Sequence, residues 1–510
     1  MKKRLLFLLL LLFALFAVIF VIPEVLERYG PGRGTEASDS STGTLEPESG
    51  RTEPGTETLE SRTFPYETVE TETETEETPP ETEYDPGEPV AREKIETNLM
   101  IASDIHYMSP SLTDYGKAYQ TMADNGDGKV IQYMPQIWEA FASKVKEARP
   151  DALILSGDLT LDGEKVNHQE FAGRLRELEA AGVPVLVIPG NHDINNHNAS
   201  AYFGDERTYV ESVSPEEFKE IYGEFGYAEA ASQAPDSLSY LYILNDTTWV
   251  MMLDTCIYNP ENLVYGAIPE GTLVWMEQCL QSAYSQGITV IPVGHHNLQE
   301  LSRVYVEECV IENHREAIKI FERYLTPVFL SGHLHVQRIM KHISEPGEDS
   351  DVYGIWEIVS NSLIIPPCQY GILNLHKDGS LSYHTDRTAV SEWAAANGES
   401  NPDLLDFSAF SSQYLRTAIK QQIYREIDGI PDYIRDIMVD FYAELYEDYY
   451  AGHQIRYSEK KKEQGYLFWD RFMNPSILFR QVEGMIHFAG LMLLMLLMAS
   501  ELLGRFAHEW

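Results

Sequence analysis

An α/β core followed by an all-helical unit is predicted by three features of the chain. Six runs at 98–103, 151–156, 183–189, 248–254, 288–294 and 326–331 are rich in Val, Ile and Leu and end at or beside Gly, Asp or His, the pattern of short buried strands. Helical spacing of apolar residues lies between several of them, at 131–149, 169–181 and 272–286, so a βαβ arrangement with helices on both sheet faces is expected. After about residue 401, aromatic and charged residues recur at helical intervals, notably over 414–427 and 433–450.

Taken in order, the chain begins with Lys2, Lys3 and Arg4 and then 18 uninterrupted apolar residues at 5–22, about the length that crosses a bilayer as a helix. A cleaved signal peptide would have a shorter apolar core and a small-x-small site, whereas Pro23, Glu24, Val25 and Leu26 follow here. Residues 1–30 therefore read as a membrane anchor, with a cleaved signal segment as the alternative. The basic cluster should stay in the cytoplasm and place the rest of the chain outside. Residues 31–96 hold 19 acids against 5 bases among Thr, Pro, Ser and Gly, too little apolar surface to offset chain entropy. They read as a disordered acidic linker.

Residues 97–400 form the expected α/β domain and 401–510 the helical unit. Three later strands, at 353–360, 371–376 and 381–385, follow without helices between them and are expected as antiparallel additions. Residues 488–499 are twelve unbroken apolar residues, which suits a buried or interfacial helix and leaves membrane insertion open.

Composition excludes some functions. With 38 Lys+Arg against 80 Asp+Glu in 510 residues, the formal charge is -42, which would repel an extended polyphosphate backbone. No nucleic-acid partner is expected. Cys256, Cys279, Cys309 and Cys368 lack CxxC or Cys/His zinc spacing, so neither a thiolate metal site nor a disulfide scaffold is expected.

The ends of the apolar runs carry the chemistry. They are followed by Asp104-x-His106, Gly157-Asp158, Gly190-Asn191-His192-Asp193, Gly294-His295-His296 and Gly332-His333-x-His335. In open α/β sheets ligands collect beyond the carboxyl ends of strands, so these segments should converge. Oxygen and imidazole donors without thiolate suit Mn, Fe or Zn, and a carboxylate can bridge two such ions. The i, i+2 spacing of 104/106 and 333/335 is what strand alternation would use to aim two ligands to one side.

This ordered set resembles the calcineurin-like metallophosphoesterases, in the bacterial branch often labelled cyclic-nucleotide phosphodiesterases, over about residues 98–386. The resemblance implies a metallophosphoesterase-type β-sandwich flanked by helices and two divalent metal ions, Mn favoured, that hydrolyse phosphoester bonds with a metal-bridging hydroxide as nucleophile. It implies that Asp104, His106 and His335 hold one metal, that Asp158 bridges, and that Asn191, His333 and one of His295 and His296 complete the second site. His295 is the expected ligand, because the family's lone histidine stands first after its strand. His192 is implied as general acid. Asp193 either orients it or anchors the loop. Purple acid phosphatases carry a ferric-binding tyrosine where this chain has Leu161, so a ferric site is not expected.

Residues 194–235 interrupt the βαβ rhythm, and loops over a metal site commonly choose the substrate. Asn195, Arg207 and His296 are candidate substrate contacts, Arg207 because a guanidinium can hold phosphate bidentately. An anchored extracytoplasmic enzyme would meet small phosphoesters, lipid head groups or wall polymers. A phosphodiesterase is the leading expectation. Phosphomonoesterase, a nuclease of the same superfamily and a non-catalytic metal-binding protein are the rivals.

Overall fold

The computed structural model describes residues 90–301, 308–342, 354–474 and 476–486. The expected anchor, most of the linker and the apolar run at 488–499 lie outside these residues. Among the described residues no helix is long and apolar enough to cross a membrane.

The first βαβαβ passage is β1 (Thr97–Ala102), α1 (Met134–Ala148), β2 (Ala152–Leu155), α2 (Lys165–Ala180) and β3 (Val185–Val187). Helix α1 buries Ile137, Trp138, Phe141 and Val145, an i, i+4 stripe laid against the sheet. It ends at Arg149 in the left-handed region. Strands β1, β2 and β3 are parallel, with Leu99 opposite Ala152 and Leu153 opposite Val185.

The chain then forms the hairpin β4 (Ser200–Phe203) and β5 (Glu206–Tyr209), helix α3 (Pro215–Ile221), strands β6 (Ser232–Gln233), β7 (Tyr240–Asn245) and β8 (Thr248–Met252), and a second small hairpin, β9 (Cys256–Ile257) and β10 (Leu263–Gly266). Helix α4 (Glu270–Ser285), β11 (Thr289–Val293), helix α5 (His314–Arg323) and β12 (Val328–Ser331) follow, then β13 (Arg338–Lys341), β14 (Trp356–Val359), β15 (Gln369–Leu375) and β16 (Leu381–Arg387).

Two sheets result. One has the order β16-β15-β1-β2-β3 and the other β13-β14-β12-β11-β8-β7-β6. Side-chain alternation assigns their faces. Val250, Met252, Ile291, Val293 and Leu330 share one core with Leu99, Ile101 and Ile154 of the first sheet. The intervening Met251, Val290 and Phe329 pack instead with Trp275 and Met276 of α4 and Phe321 of α5. The fold is thus a β-sandwich flanked by helices.

Strands β15 and β16 are antiparallel additions beside β1, as expected. Strand β14 departs from that expectation, because it runs parallel to β12. The reason is β13, an unexpected strand that turns the chain back, so that β14 pairs antiparallel with it and regains the direction of β12.

After α6 (Val390–Ala396) the chain is helical, with α7 (Phe407–Glu426), α8 (Asp432–Tyr450) and α9 (Gln464–Met473). Leu415, Ile419 and Ile423 of α7 face Met438, Tyr442 and Leu445 of α8, with Trp469 of α9 closing the core. The Trp469 indole N–H donates to the Met438 carbonyl at 2.8 Å, which leaves no unsatisfied donor there. All four cysteines are free thiols.

Candidate metal centre

The five polar segments at the strand ends meet in one place. After β1 and β2 the backbones pair, Asp104 N–H to the Gly157 carbonyl at 3.1 Å and His106 N–H to the Asp158 carbonyl at 2.9 Å. Asp158 Oδ1 accepts the His192 N–H at 2.9 Å, which draws the third segment in. Only glycine fits at 190, since a Cβ there would stand 2.1 Å from the Asp158 nitrogen. Asp104 accepts the His333 N–H at 3.1 Å, closing the ring of loops.

Asp104, His106, Asp158, His333 and His335 all adopt positive φ, between 45° and 67°. This conformation costs non-glycine residues about 1–3 kcal/mol each and collects at functional sites. It also corrects the strand-alternation reading of the two i, i+2 pairs. Strands β1 and β12 end at Ala102 and Ser331, so these ligands are aimed by left-handed loop turns rather than by a pleat.

Two groups of donor atoms share Asp158. Ligand atoms of Asp104, His106, Asp158 and His335 all lie within 4.8 Å of one another, with His335 Nε2 3.2 Å from both His106 Nε2 and Asp104 Oδ1. In the second group, Asn191 Oδ1 is 3.0 Å from His295 Nε2 and 2.9 Å from His333 Nδ1, and His295 Nε2 is 3.5 Å from Asp158 Oδ2.

The proton positions test whether cations fit. His295 Nδ1 donates to the Ser156 carbonyl at 2.9 Å and His333 Nε2 to the Glu308 carbonyl at 3.0 Å. In the neutral rings the inward nitrogens are then bare lone pairs facing carboxylate and amide oxygens. Such a set lacks hydrogens and calls for positive charge. Ligands about 2.0–2.2 Å from a divalent ion stand roughly 3–3.5 Å apart, the spacing seen here, so the residues fit two cations.

Electrostatics agree. Burial opposes ionisation of Asp158, yet His295 and His192 outweigh it and hold its carboxyl well below the usual range. Burial likewise opposes charge on His295, but Asp158 and Asp104 push it up to about 9, while burial and the neighbouring His295 lower His333 to about 4.

His192 lies beside the donor groups with its side chain 31% exposed and its Nε2 4.0 Å from Asp158 Oδ2. Its Nδ1 donates to the Leu161 carbonyl at 2.7 Å and lies 3.0 Å from Asp162 Oδ1. Asp193 has no such contact. Its carboxylate accepts from the Leu159, Thr160 and Gly190 N–H groups and from the Thr160 hydroxyl, so of the two expected roles it takes the loop anchor.

The three candidate substrate residues have partners within the loops around the centre. His296 is fully buried, takes the Thr255 hydroxyl on Nδ1 at 2.8 Å and donates from Nε2 to the Val264 carbonyl at 3.0 Å. Asn195 Nδ2 donates to the Tyr258 carbonyl. The exposed Arg207 donates through Nε to Ser200 Oγ and through Nη2 to the Asn198 carbonyl across its own hairpin. All three tie loops together.

Two residues escaped the sequence reading. Asp162 follows Gly157-Asp158 within the same loop, and that closeness was its only signal. Half-buried Lys129 lies within electrostatic reach of the centre, where its positive charge opposes protonation of both His106 and His192. Its turn, between a helix at Lys117–Asp124 and α1, carries no periodic signal.

The family model described as calcineurin-like phosphoesterase matches residues 97–337, and that of the C-terminal domain of cyclic nucleotide phosphodiesterase matches residues 389–487. A Moraxella catarrhalis protein named "Probable cyclic nucleotide phosphodiesterase" is 22% identical over 37% of this chain and 60% of its own length. An Enterobacter lignolyticus protein named "Glycerophosphodiester phosphodiesterase GpdQ" is 24% identical over 46% of this chain and 69% of its own. The chain thus spans 60 to 69% of the length of these curated relatives. A solved dimetal phosphatase from Danio rerio is similar at a TM-score of 0.39 and 14% identity, over 57% of this chain and 99% of that one, a likeness too distant to weigh. The chain thus carries a calcineurin-like phosphoesterase domain, followed by a region that matches the C-terminal domain of cyclic nucleotide phosphodiesterase.

Proposed function

We propose that the chain is a metal-dependent phosphodiesterase acting on small phosphodiesters at the outer side of a membrane. The observation that carries this reading is the pair of converging lone-pair sets that share Asp158, with His192 alongside. Asp104, His106, Asp158 and His335 would hold one divalent ion, and Asp158, Asn191, His295 and His333 the other, Mn being favoured over Fe and Zn. When bound, the ions supply charge neutralisation at the phosphoryl oxygens and a water acidic enough to attack near neutral pH.

The chain's own residues do the rest. His192 donates its Nδ1 proton to the Leu161 carbonyl, which leaves Nε2 to face the leaving oxygen. Burial works against its charge, but Asp158 and Asp162 raise its pKa to about 9, so the ring carries a transferable proton at neutral pH. Lys129, whose charge acts on His106 and His192, is a cation that would attract a non-bridging phosphate oxygen. The names of the relatives support diesters over monoesters. The apolar run at 5–22 supports an anchor and an extracytoplasmic domain, and the run at 488–499 supports a second membrane contact.

The test compares bis-p-nitrophenyl phosphate with p-nitrophenyl phosphate, before and after chelation and with Mn restored. Faster diester turnover that vanishes on chelation and returns with Mn is expected. Faster monoester turnover would make the chain a phosphomonoesterase, and Mn binding without turnover would make it a metal-binding protein. Protease accessibility in intact cells tests the location.

A further inference from the structure

The metal centre is not built by the sandwich alone. In the loop after β12 successive side chains part company. His333 and His335 turn to Asn191 and Asp104, whereas Leu334 and Val336 are buried in the core of the helical unit with Met438, Leu445 and Tyr449. The backbone is held at the same place. Fully buried Asn361 donates through Nδ2 to the His335 carbonyl and to the Tyr450 carbonyl, each at 2.9 Å.

Tyr450 is the last residue of α8, where the helix leaves carbonyls without intrahelical donors. The Gln337 N–H supplies a second donor to that carbonyl at 3.0 Å, and Gln369 Nε2 caps Ala451 at 3.3 Å. Gly452, at φ +70°, lets the two backbones touch, since a Cβ there would lie 2.5 Å from the Gln337 carbonyl. His333 and His335 hold left-handed conformations at φ 67° and 57°, and such turns persist only where their surroundings over-determine them.

We propose that the C-terminal helical unit is a positioning element of the metal centre, and that Asn361 is the residue through which it holds His335. This deepens the phosphodiesterase reading and rests on its metal centre. The sandwich supplies the ligands; the end of α8 and the Leu334 pocket fix the loop that presents two of them.

The test is Mn binding by the full chain, followed by calorimetry, with helical circular dichroism as the fold control. Asn361→Ala should weaken Mn binding roughly 10- to 100-fold, as loss of a ligand's supporting hydrogen bond does, while keeping the helical signal. Gln369→Ala loosens the same seam without touching a ligand loop and should keep wild-type Mn affinity. A folded Asn361→Ala chain with wild-type affinity would overturn the proposal, as would an equal loss in Gln369→Ala, which would reduce the effect to loosened packing. Should Asn361→Ala not fold, Leu334→Ala carries the same expectation, and unchanged Mn affinity there overturns it. A wild-type chain that binds no Mn would remove the metal centre itself, an outcome distinct from wild-type binding that the variants leave intact.

Discussion

Asp162 Oδ1 stands 3.0 Å from Nδ1 of His192, on the side of the ring away from Asp158. The Leu161 carbonyl, at 2.7 Å, shares that N–H. Two acceptors thus fix the ring's tautomer and leave Nε2 to the substrate side. Asp162→Asn removes one of them while the carbonyl keeps the tautomer. We expect kcat to fall about 10-fold, less than the 10²- to 10⁴-fold that loss of a whole general acid costs. Mn stoichiometry and KM should not change. Steady-state kinetics beside metal analysis checks this, and a wild-type kcat would sink Asp162's role.

His296 provides the opposite case. It stands next to a metal-facing histidine, yet both of its nitrogens are committed to Thr255 and Val264. His296→Leu leaves the Thr255 hydroxyl and the Val264 carbonyl without this partner in a buried site, at a cost of about 1–3 kcal/mol each where no substitute is found. A lower melting temperature with unchanged kcat and KM for the diester is expected. A raised KM with unchanged stability would restore His296 to the substrate.

These two neighbours show where sequence reading stopped. The residues that converge, from Asp104 to His335, were legible because each follows a short buried strand, and strand ends are visible as breaks in apolar runs. The hydrogen bonds of the loops were not legible. Nothing in Asn191-His192-Asp193 says that the Asp193 carboxylate turns toward Leu159 and Thr160, because loop direction depends on left-handed turns rather than on a period. Strand β14 was misdirected for a similar reason, since β13 is only four residues long and its Arg and Lys ends mask the strand pattern. Arg207 looked like a phosphate clamp because guanidinium chemistry is readable from sequence, whereas its capture by Asn198 and Ser200 requires the hairpin.

Lys129 tests the substrate side. Its turn is seated on the helical unit through Gly128, whose φ is +83° and whose added Cβ would meet Leu415 at 2.3 Å. Its ammonium acts on both His106 and His192. A hydrogen bond to a charged group contributes about 1.5–3 kcal/mol, so Lys129→Ala should raise KM for an anionic diester about 10- to 100-fold, with a smaller change in kcat. Lys129→Arg should recover most of the loss. Unchanged KM in the alanine variant would remove Lys129 from substrate binding.

The pH dependence of stability should expose Glu357. This carboxyl on β14 is fully buried, and its Oε1 accepts from the Leu298 N–H at 2.9 Å and the Ser331 hydroxyl at 2.8 Å. Ser331 in turn accepts from Asn297 at 3.0 Å, so the carboxyl braces the loops that carry His295 and His333. Burial, only partly offset by these hydrogen bonds, raises its pKa from 4.5 to about 8. The sign follows from proton counting. Between those two values the folded chain keeps a proton that the unfolded chain has lost, so stability is full below the lower value and declines as pH rises toward the upper one. The decline can reach about 1.4 kcal/mol per pH unit. Glu357→Gln carries no such proton and should flatten this part of the curve. Melting temperatures of the two chains, measured from about pH 5 to about pH 9, should therefore draw together or cross in the variant's favour as pH rises. A wild-type curve parallel to that of the variant would mean that Glu357 ionises in the fold as readily as in water.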